Sequence, residues 1–425
     1  MSPTTVTYKA SAMDMSRSDT RIICGLGPAN FGGIERVRAR LFALASAGPS
    51  ARVGLQVTPT SPKWKYRPDL VCDNVIEVDP ITAVQVKELL VELSRTASAE
   101  VPLRARLAGD YLLLDLSHGF SDAVLPVELY AYLGNPDPNP PLPSWATARA
   151  VRNPLPRALA DWMIHNPRNI VDVVHGRLRT VPPELVSPAL APMEDSRVPW
   201  SPSPALAVAS SSVGAPSALT AWRAENLPEV SITSMLSAAV AKALSTSGIP
   251  TAYSANFLFD CRRYLRAEGV VLGNFAVGID FRGIDPTSPT ALHSSLAHAI
   301  DKGRPLAVGG LSALHYLKTR SAVPSIRATT APATADAEIT FSDIGRVRQV
   351  ENIAWTEQPD KCVFYPLSEP SIPQSIVVTS MRVRDVFHLT ATFHDNFFDR
   401  DAVQSAIDLA MFDPIALLAP QELSR

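Results

Sequence analysis

The stretch Leu113-Leu114-Asp115-Leu116-Ser117-His118-Gly119-Phe120-Ser121-Asp122-Ala123 ends an apolar strand at a histidine and places an aspartate four residues further on. An imidazole titrates near neutral pH, so His118 can take a proton from a hydroxyl or an amine as that group attacks a carbonyl. The turn that follows bends the Asp122 carboxylate back towards the strand end. Because His-x-x-x-Asp also occurs by chance in many proteins, the surrounding sequence decides whether this histidine is catalytic.

The flanking segments predict how His118 is presented. Leu103 to Leu107 and Tyr111 to Leu116 each predict a strand, and Ala108-Gly109-Asp110 between them has the composition of a tight turn. A helix is predicted from Asp122 to Leu133, since a proline such as Pro126 is tolerated in a first turn. The hairpin therefore delivers His118 at a strand end, directly before a helix.

The remainder of the chain mixes helix and strand patterns, which predicts the α/β (α+β) class. Predicted helices are Ile34 to Ala47, Ala83 to Leu93, Ser217 to Arg223, Ser231 to Leu244 with Ser231 or Thr233 as cap, and Asp399 to Met411. Predicted strands are Arg21 to Cys24, Val53 to Val57, Asn74 to Val78, Thr251 to Phe259, Phe275 to Asp280, Glu338 to Ser342, Ser375 to Met381 and Val386 to Phe393.

Length and proline content suggest two subdomains. The 425 residues exceed the roughly 250 to 300 at which single cores stop growing. Ser187 to Pro204 holds five prolines and little apolar periodicity, which is typical of a linker. We expect a flexible tail over 1–19, an N-terminal subdomain over 20–186, a crossover linker over 187–204 and a C-terminal subdomain over 205–425.

Composition excludes several classes of protein. Apolar residues make up 46% and charged residues 19%, which is typical of a globular protein. A net charge of −2 without a long Lys/Arg run argues against nucleic acid as a partner. The sequence has no apolar run long enough to span a bilayer and no secretory signal pattern, so we expect a cytoplasmic protein. The four cysteines have no metal or redox spacing, and the histidines form no recognisable metal site.

Several segments in order resemble the chloramphenicol acetyltransferase-like superfamily. This superfamily includes condensation domains of peptide synthetases, mycobacterial polyketide-associated acyltransferases, wax ester synthases and plant acyltransferases. His118 to Ala123 resembles its His-x-x-x-Asp-Gly motif, preceded by Val101-Pro102-Leu103-Arg104. Further resemblances, which together cover roughly residues 85 to 410, are Phe259-Asp260-Cys261-Arg262-Arg263-Tyr264-Leu265, Leu272-Gly273-Asn274-Phe275, Thr340-Phe341-Ser342-Asp343-Ile344-Gly345 and His394-Asp395-Asn396-Phe397-Phe398-Asp399.

The resemblance implies a role for each motif residue. His118 is then the general base of acyl transfer, and Asp122 is structural, paired with Arg262. Ser117, Asn274 and Ser342 are candidates for oxyanion or substrate contacts. A structural role for Asp122 is physically reasonable, because a carboxylate buried beside a catalytic imidazole would otherwise be unpaired, and burial of a lone charge is costly.

The resemblance also implies the architecture and the substrates. Two subdomains would form a V around a central tunnel, with His118 reached from both sides. The donor would be an acyl-CoA or an acyl group on the phosphopantetheine of a carrier protein, and the acceptor an alcohol or an amine. No metal or redox cofactor is needed, and we expect a monomer. An acidic carrier would favour a basic patch, for which the candidates are Arg149, Arg152, Arg157 and Arg168.

Two departures from the family pattern leave an alternative open. Ser117 stands where condensation domains usually carry another histidine, and Ala123 replaces the usual glycine, which would strain a turn that needs positive φ. The plant-type Asp-Phe-Gly-Trp-Gly motif is absent. The alternative function is a non-catalytic docking or gatekeeping module for a carrier protein.

A second candidate motif is Gly25-Leu26-Gly27-Pro28-Ala29-Asn30, which follows a short strand. It is similar to the glycine turn that places a helix N-terminus under a pyrophosphate. The next strand, Val53 to Thr58, lacks the acidic residue that dinucleotide binding requires. A glycine turn into a helix is the simpler interpretation.

Overall fold

The computed structural model describes residues 6–96, 101–151, 153–167, 196–266, 269–319 and 328–419. Its first half contains β1 (Thr7–Lys9), α1 (Ala12–Met15), β2 (Arg21–Gly27), α2 (Ile34–Ser46), β3 (Leu55–Gln56), β4 (Lys63–Tyr66), β5 (Val75–Glu77), α3 (Ala83–Arg95), β6 (Leu103–Ala108), β7 (Tyr111–Ser117), α4 (Val124–Leu133), α5 (Ser144–Thr147) and α6 (Pro154–His165).

The second half contains β8 (Arg197–Pro199), β9 (Pro204–Ser210), α7 (Ala215–Asn226), α8 (Ile232–Thr246), β10 (Thr251–Asp260), β11 (Ala276–Arg282), α9 (Pro289–Asp301), α10 (Arg304–Thr319), β12 (Thr330–Pro332), β13 (Ala337–Arg346), β14 (Val363–Leu367), β15 (Ser375–Val383), β16 (Val386–His394), α11 (Arg400–Phe412) and α12 (Pro414–Leu418). Helices and sheets are mixed throughout, so the α+β class predicted from the sequence is confirmed.

Two main sheets organise the halves. The five-stranded sheet has the order β14-β2-β7-β6-β5 and is antiparallel except for the β5–β6 pair. The six-stranded sheet has the order β11-β10-β13-β15-β16-β9, in which β13 runs parallel to both of its neighbours. Its core forms around α8, whose inner face is buried from Ser234 to Leu244. Each half therefore has a sheet and a core of its own.

Helix caps behave as the sequence predicts. The Ser231 hydroxyl accepts a hydrogen bond from the Ser234 amide at the start of α8. At the start of α11, the Asp399 carboxylate accepts one from the Ala402 amide at 2.8 Å. Such bonds satisfy amides that have no partner within the helix.

One strand crosses between the halves. β14 comes from the second half of the chain but pairs with β2 in the sheet of the first half. The predicted division therefore differs from the structure at 363–367, since the 205–425 segment supplies an edge strand to the other sheet. A small cluster also joins the halves, in which Val86 and Leu90 of α3 lie with Leu206 and Tyr365.

The part of the predicted tail that the structure describes, residues 6–19, is ordered and not a flexible tail. β1 pairs with β4, and α1 carries the buried side chains of Asp14 and Met15. The Asp14 carboxylate forms an ion pair with buried Arg52 at 2.9 Å. A polar segment can thus be fixed by a buried charge pair instead of by apolar contacts.

Of the predicted linker, 187–195 lies outside the described residues, and β8 lies within the rest.

The β7 strand is fixed by a buried ionic cluster. The carboxylate of Asp115 is fully buried and accepts bonds from Arg21 of β2 and Arg104 of β6. Asp115 lies opposite Arg104, and Arg21 lies two residues along β2 from Ile23, which is the residue opposite Asp115 on that strand. This arrangement fixes the strand that ends at His118.

Replacing Asp115 with alanine should destabilise the fold. The substitution leaves two largely buried guanidinium groups without their carboxylate, which typically costs about 3–5 kcal/mol. Urea unfolding followed by fluorescence measures the change. The matched control is Asp69→Ala, which removes the exposed pair with Arg67 and should leave the free energy of unfolding almost unchanged. Equal stability of Asp115→Ala and the wild type would contradict the prediction.

Candidate active site

The turn after β7 is held through its backbone. The His118 amide donates to the Thr20 carbonyl at 2.8 Å, and the Asn274 side-chain amide donates to the His118 carbonyl at 2.6 Å. The Gly119 carbonyl accepts from Arg52 at 2.9 Å, and its amide donates to the Ser117 hydroxyl at 3.2 Å. Both polar backbone groups of His118 and of Gly119 therefore have partners, which restrain the backbone of the turn.

The His118 ring is suited to accept a proton. The residue is half-buried, its Nδ1 is fully buried, and Nε2 has no protein partner among the described residues. Burial lowers the pKa of His118 below 6.5, and the charge of Arg17 lowers it further. Backbone groups of His118 and Ser121 and the Asp122 carboxylate oppose these effects. The ring is therefore neutral at neutral pH, which is the form that a general base requires.

Asp122 is engaged by the second half of the chain. Its two oxygens accept from the two terminal nitrogens of Arg262 at 2.9 and 3.0 Å, and the Phe275 amide donates to the same carboxylate at 2.9 Å. Burial alone would lower the pKa of Arg262, but Asp122 and Asp260 raise it above its ordinary value. The pair expected from the sequence is present. A carboxylate held in this way is poorly suited to act as a second base.

Two further charged residues near the turn were not singled out in the sequence. Asp14 accepts from the Asn274 backbone amide at 2.9 Å, and Arg52 donates to the Gly119 carbonyl. The one available signal was Ser11-x-x-Asp14, the spacing of a capping box, which α1 does form. That spacing predicts a helix start but gives no indication of a partner in the second half.

The three candidates for substrate contacts differ in availability. Ser117 is buried, and its hydroxyl donates to the Ser18 carbonyl at 3.4 Å while accepting from Gly119. Asn274 is buried, and its side-chain amide donates hydrogen bonds to the His118 carbonyl and to the Asp14 carboxylate. Ser342 is half-buried in β13 and makes no side-chain hydrogen bond among the described residues. Of the three, Ser342 keeps a free hydroxyl, while the other two hold the turn.

Ala123 causes no strain. It lies at φ −61° and ψ −15°, an ordinary right-handed conformation at the start of α4. The turn of this chain does not need positive φ at this position. The departure at Ala123 gives no reason to doubt the integrity of the turn.

The glycine motif before α2 serves packing. Gly27 ends β2, and a Cβ there would lie 2.5 Å from the Asp110 carbonyl oxygen of the neighbouring hairpin turn. β2 pairs with antiparallel neighbours, whereas the dinucleotide turn belongs to a parallel sheet. The simpler interpretation, a glycine turn into a helix, is also wrong, because Gly25 and Gly27 lie within β2 and α2 begins only at Ile34.

The described residues offer neither a metal site nor a membrane-spanning helix. Within them, no group of three His, Cys, Asp or Glu side chains could hold a metal ion. No helix among them is long and apolar enough to cross a bilayer. Of the predicted basic patch, Arg149 and Arg157 are exposed, while Arg152 and Arg168 lie outside the described residues.

A titration of His118 followed by NMR should have a midpoint below 6.5. Arg17→Gln should raise the midpoint, because it removes a positive charge that disfavours the imidazolium. Since Arg17 is exposed, high salt should shrink the difference. Protein labelled at histidine Cε1 gives the measurement, with His118→Gln to assign the resonance and Arg67→Gln as the matched control. A wild-type midpoint at or above 6.5 would refute the prediction.

None of the protein-family models and none of the curated proteins matches the chain. Solved structures do match over nearly its full length. The condensation domain of the Monacolin K polyketide synthase MokA has TM-score 0.57 at 14% identity, covering 97% of this chain and 96% of that one. Trichothecene 15-O-acetyltransferase TRI3 from Fusarium sporotrichioides has TM-score 0.56 at 11% identity, covering 95% and 94%.

Two more matches widen the range of chemistry on this fold. The epimerization domain of tyrocidine synthetase B, TycB3, has TM-score 0.54 at 13% identity, covering 98% of this chain and 99% of that one. The PapA2 acyl transferase has TM-score 0.51 at 13% identity, covering 98% and 93%. With its two sheets, crossing strand and histidine turn, the chain has the fold of these condensation-domain and acyltransferase structures.

Proposed function

We propose that the chain is an acyltransferase that moves an acyl group from a thioester to an alcohol or an amine. The observation that carries the proposal is the neutral, half-buried His118, fixed by both halves of the chain. Structures with this fold include proteins described as an O-acetyltransferase and an acyl transferase, which favours an alcohol acceptor and an ester product in lipid, polyketide or other secondary metabolism.

The chemistry follows from the free ring nitrogen. Nε2 of His118 takes the proton of the acceptor hydroxyl as its oxygen attacks the thioester carbonyl. The C–S bond of the resulting tetrahedral intermediate then breaks, and the imidazolium returns the proton to the departing thiolate. The oxyanion needs a hydrogen-bond donor, and the Ser342 hydroxyl is our candidate. No step requires a metal or a redox cofactor.

The donor is an acyl-CoA or an acyl group on the phosphopantetheine of a carrier protein, because both present the same thioester. We propose a monomer that works in the cytoplasm. The described cysteines, Cys24, Cys72, Cys261 and Cys362, are all free, as a reducing compartment favours.

Removal of the His118 imidazole should abolish most of the activity. A panel of acyl-CoAs with a mixed pool of alcohols and amines is assayed for thiol release, and the product mass identifies the acceptor. His118→Ala should fall by roughly 10²–10⁴-fold, the usual contribution of a general base. The control His298→Ala changes an exposed histidine of α9 and should retain full activity.

Equal activity in His118→Ala and the wild type would overturn the general-base role. If the wild type releases no thiol, the comparison is repeated with carrier-bound donors. A second null result would overturn the enzymatic proposal and favour a non-catalytic docking or gatekeeping module.

The pH dependence of kcat/KM should show the same histidine. Transfer requires neutral His118, so the rate falls as pH drops through its pKa, and burial places that fall below pH 6.5. Arg17→Gln should move the acid limb to higher pH, in the same direction as the NMR midpoint. If the acid limb does not respond to Arg17→Gln, the limb reports the titration of another group and not of His118.

A carrier-protein donor can be distinguished from acyl-CoA by charge. The exposed residues Arg149 and Arg157 would meet an acidic carrier, so the double variant Arg149→Glu, Arg157→Glu should raise KM for carrier-bound donor several-fold. The same variant should leave KM for acyl-CoA unchanged. Unchanged transfer from the carrier would remove this patch from the proposal.

A further inference from the structure

A buried carboxylate near the start of the chain connects both halves to the histidine turn. Asp14 lies in α1 and is 2% exposed. Its Oδ1 accepts from an Arg52 terminal nitrogen at 2.9 Å and from the Asn274 backbone amide at 2.9 Å. The Asn274 side-chain amide approaches the same carboxylate at 3.3 Å. Asp14 therefore has partners in both halves, while its other oxygen accepts from Ser11 in the α1 capping box.

The two partners of Asp14 hold consecutive carbonyls of the turn. Arg52 donates to the Gly119 carbonyl at 2.9 Å, and Asn274 donates to the His118 carbonyl at 2.6 Å. Each donor would need a new orientation if the carboxylate were removed. The position of the catalytic ring thus depends on Asp14 through two separate contacts, although the described structure gives no direct hydrogen bond between Asp14 and His118.

Arg52 is itself poorly solvated. It is 3% exposed, donates to the Tyr8 hydroxyl at 2.6 Å, and lies over the rings of Tyr8 and Trp64. Burial alone would lower its pKa, and the Asp14 charge raises it. A buried cation without its carboxylate is costly, so loss of Asp14 favours rearrangement of Arg52 away from the Gly119 carbonyl.

Gly273 of the second half lies against the Asp14–Arg52 ion pair and has no side chain to separate its backbone from the pair. A Cβ on Gly273 would lie 2.9 Å from Asp14 Oδ1 and 3.0 Å from Arg52 Nη1. Glycine therefore permits the backbone of the second half to lie directly against the pair. A larger residue at position 273 would therefore push against the Asp14–Arg52 pair without altering any charge.

We propose that Asp14 is a positioning residue for His118, which it orients through Arg52 on the Gly119 carbonyl and Asn274 on the His118 carbonyl. The kinetic part of this inference rests on the proposed acyl transfer, while its structural part does not. Because the contacts come from both halves, the turn is complete only when α1, the first sheet and the Gly273–Phe275 segment meet.

The test compares two substitutions of Asp14 with a matched control. Asp14→Ala removes both contacts together with the Ser11 capping contacts, whereas Asp14→Asn keeps one acceptor oxygen and removes the charge. Displacement of a reacting group by about 1 Å can cost on the order of 10²-fold. We expect kcat to fall about 10–100-fold in Asp14→Ala and less in Asp14→Asn, with KM changed less than about threefold.

The control is Asp395→Asn, which removes a carboxylate paired with Arg400 and the Ser203 hydroxyl in the second half. It should keep the wild-type kcat. Gly273→Ala, which retains every charge, should lower kcat in the same direction as Asp14→Asn. Urea unfolding confirms that each variant is folded under assay conditions, and Asp14→Asn serves if Asp14→Ala is not.

The His118 titration decides the structural part without any assay of transfer. A loosened turn admits water, so Asp14→Ala and Asp14→Asn should move the NMR midpoint of His118 upwards towards 6.5, while Asp395→Asn should not. Unchanged midpoints in both Asp14 variants would overturn the inference, even if the enzyme is active. A shifted midpoint in a protein that transfers no acyl group would support the positioning role while the proposed function fails.

Equal losses of kcat in Asp14→Asn and Asp395→Asn would also overturn the inference, since they would indicate general destabilisation.

Discussion

The ion pair between Asp122 and Arg262 is the constraint on which the site depends. The two side chains come from different halves of the chain and are only 12% and 20% exposed. Removal of either partner would leave a largely buried charge without its counter-ion, which is more costly than loss of an exposed pair. The same carboxylate also accepts the Phe275 amide. The pair therefore fixes the second half against the loop that follows the histidine.

A short backbone segment of the second half lies between two such pairs. Gly273 accepts from Arg262 through its carbonyl, the Asn274 amide donates to Asp14, and the Phe275 amide donates to Asp122. Two consecutive amides are thus bound by carboxylates that lie far apart in sequence. Hydrogen bonds to charged groups are stronger than neutral ones. This geometry explains how a half-buried histidine can be held without a hydrogen bond to its own ring Nδ1.

The crossing strand adds a second link between the halves. Val363 to Leu367 extends the first sheet beside β2, and the Thr390 hydroxyl of the second sheet donates to the Pro366 carbonyl at 3.0 Å. The first sheet is therefore complete only with a strand from the second half, and that strand is also bound to the second sheet. An independent motion of one half would have to break these bonds. The described structure therefore favours a site that is already formed before a substrate binds.

The sequence by itself determined the hairpin, the histidine at its end and the helix that follows, because these depend on alternation, turn composition and caps within a few residues. It also predicted the fold, from motifs in a fixed order, and the similar solved structures confirm that fold. Tertiary structure alone decided that Asp14 and Arg52 reach the turn, that Asn274 and Ser117 support it, and that β14 joins the first sheet. Those outcomes depend on contacts between residues that lie far apart in sequence. Such contacts bury polar side chains and pair them with one another, and no local sequence pattern encodes which polar residues become buried.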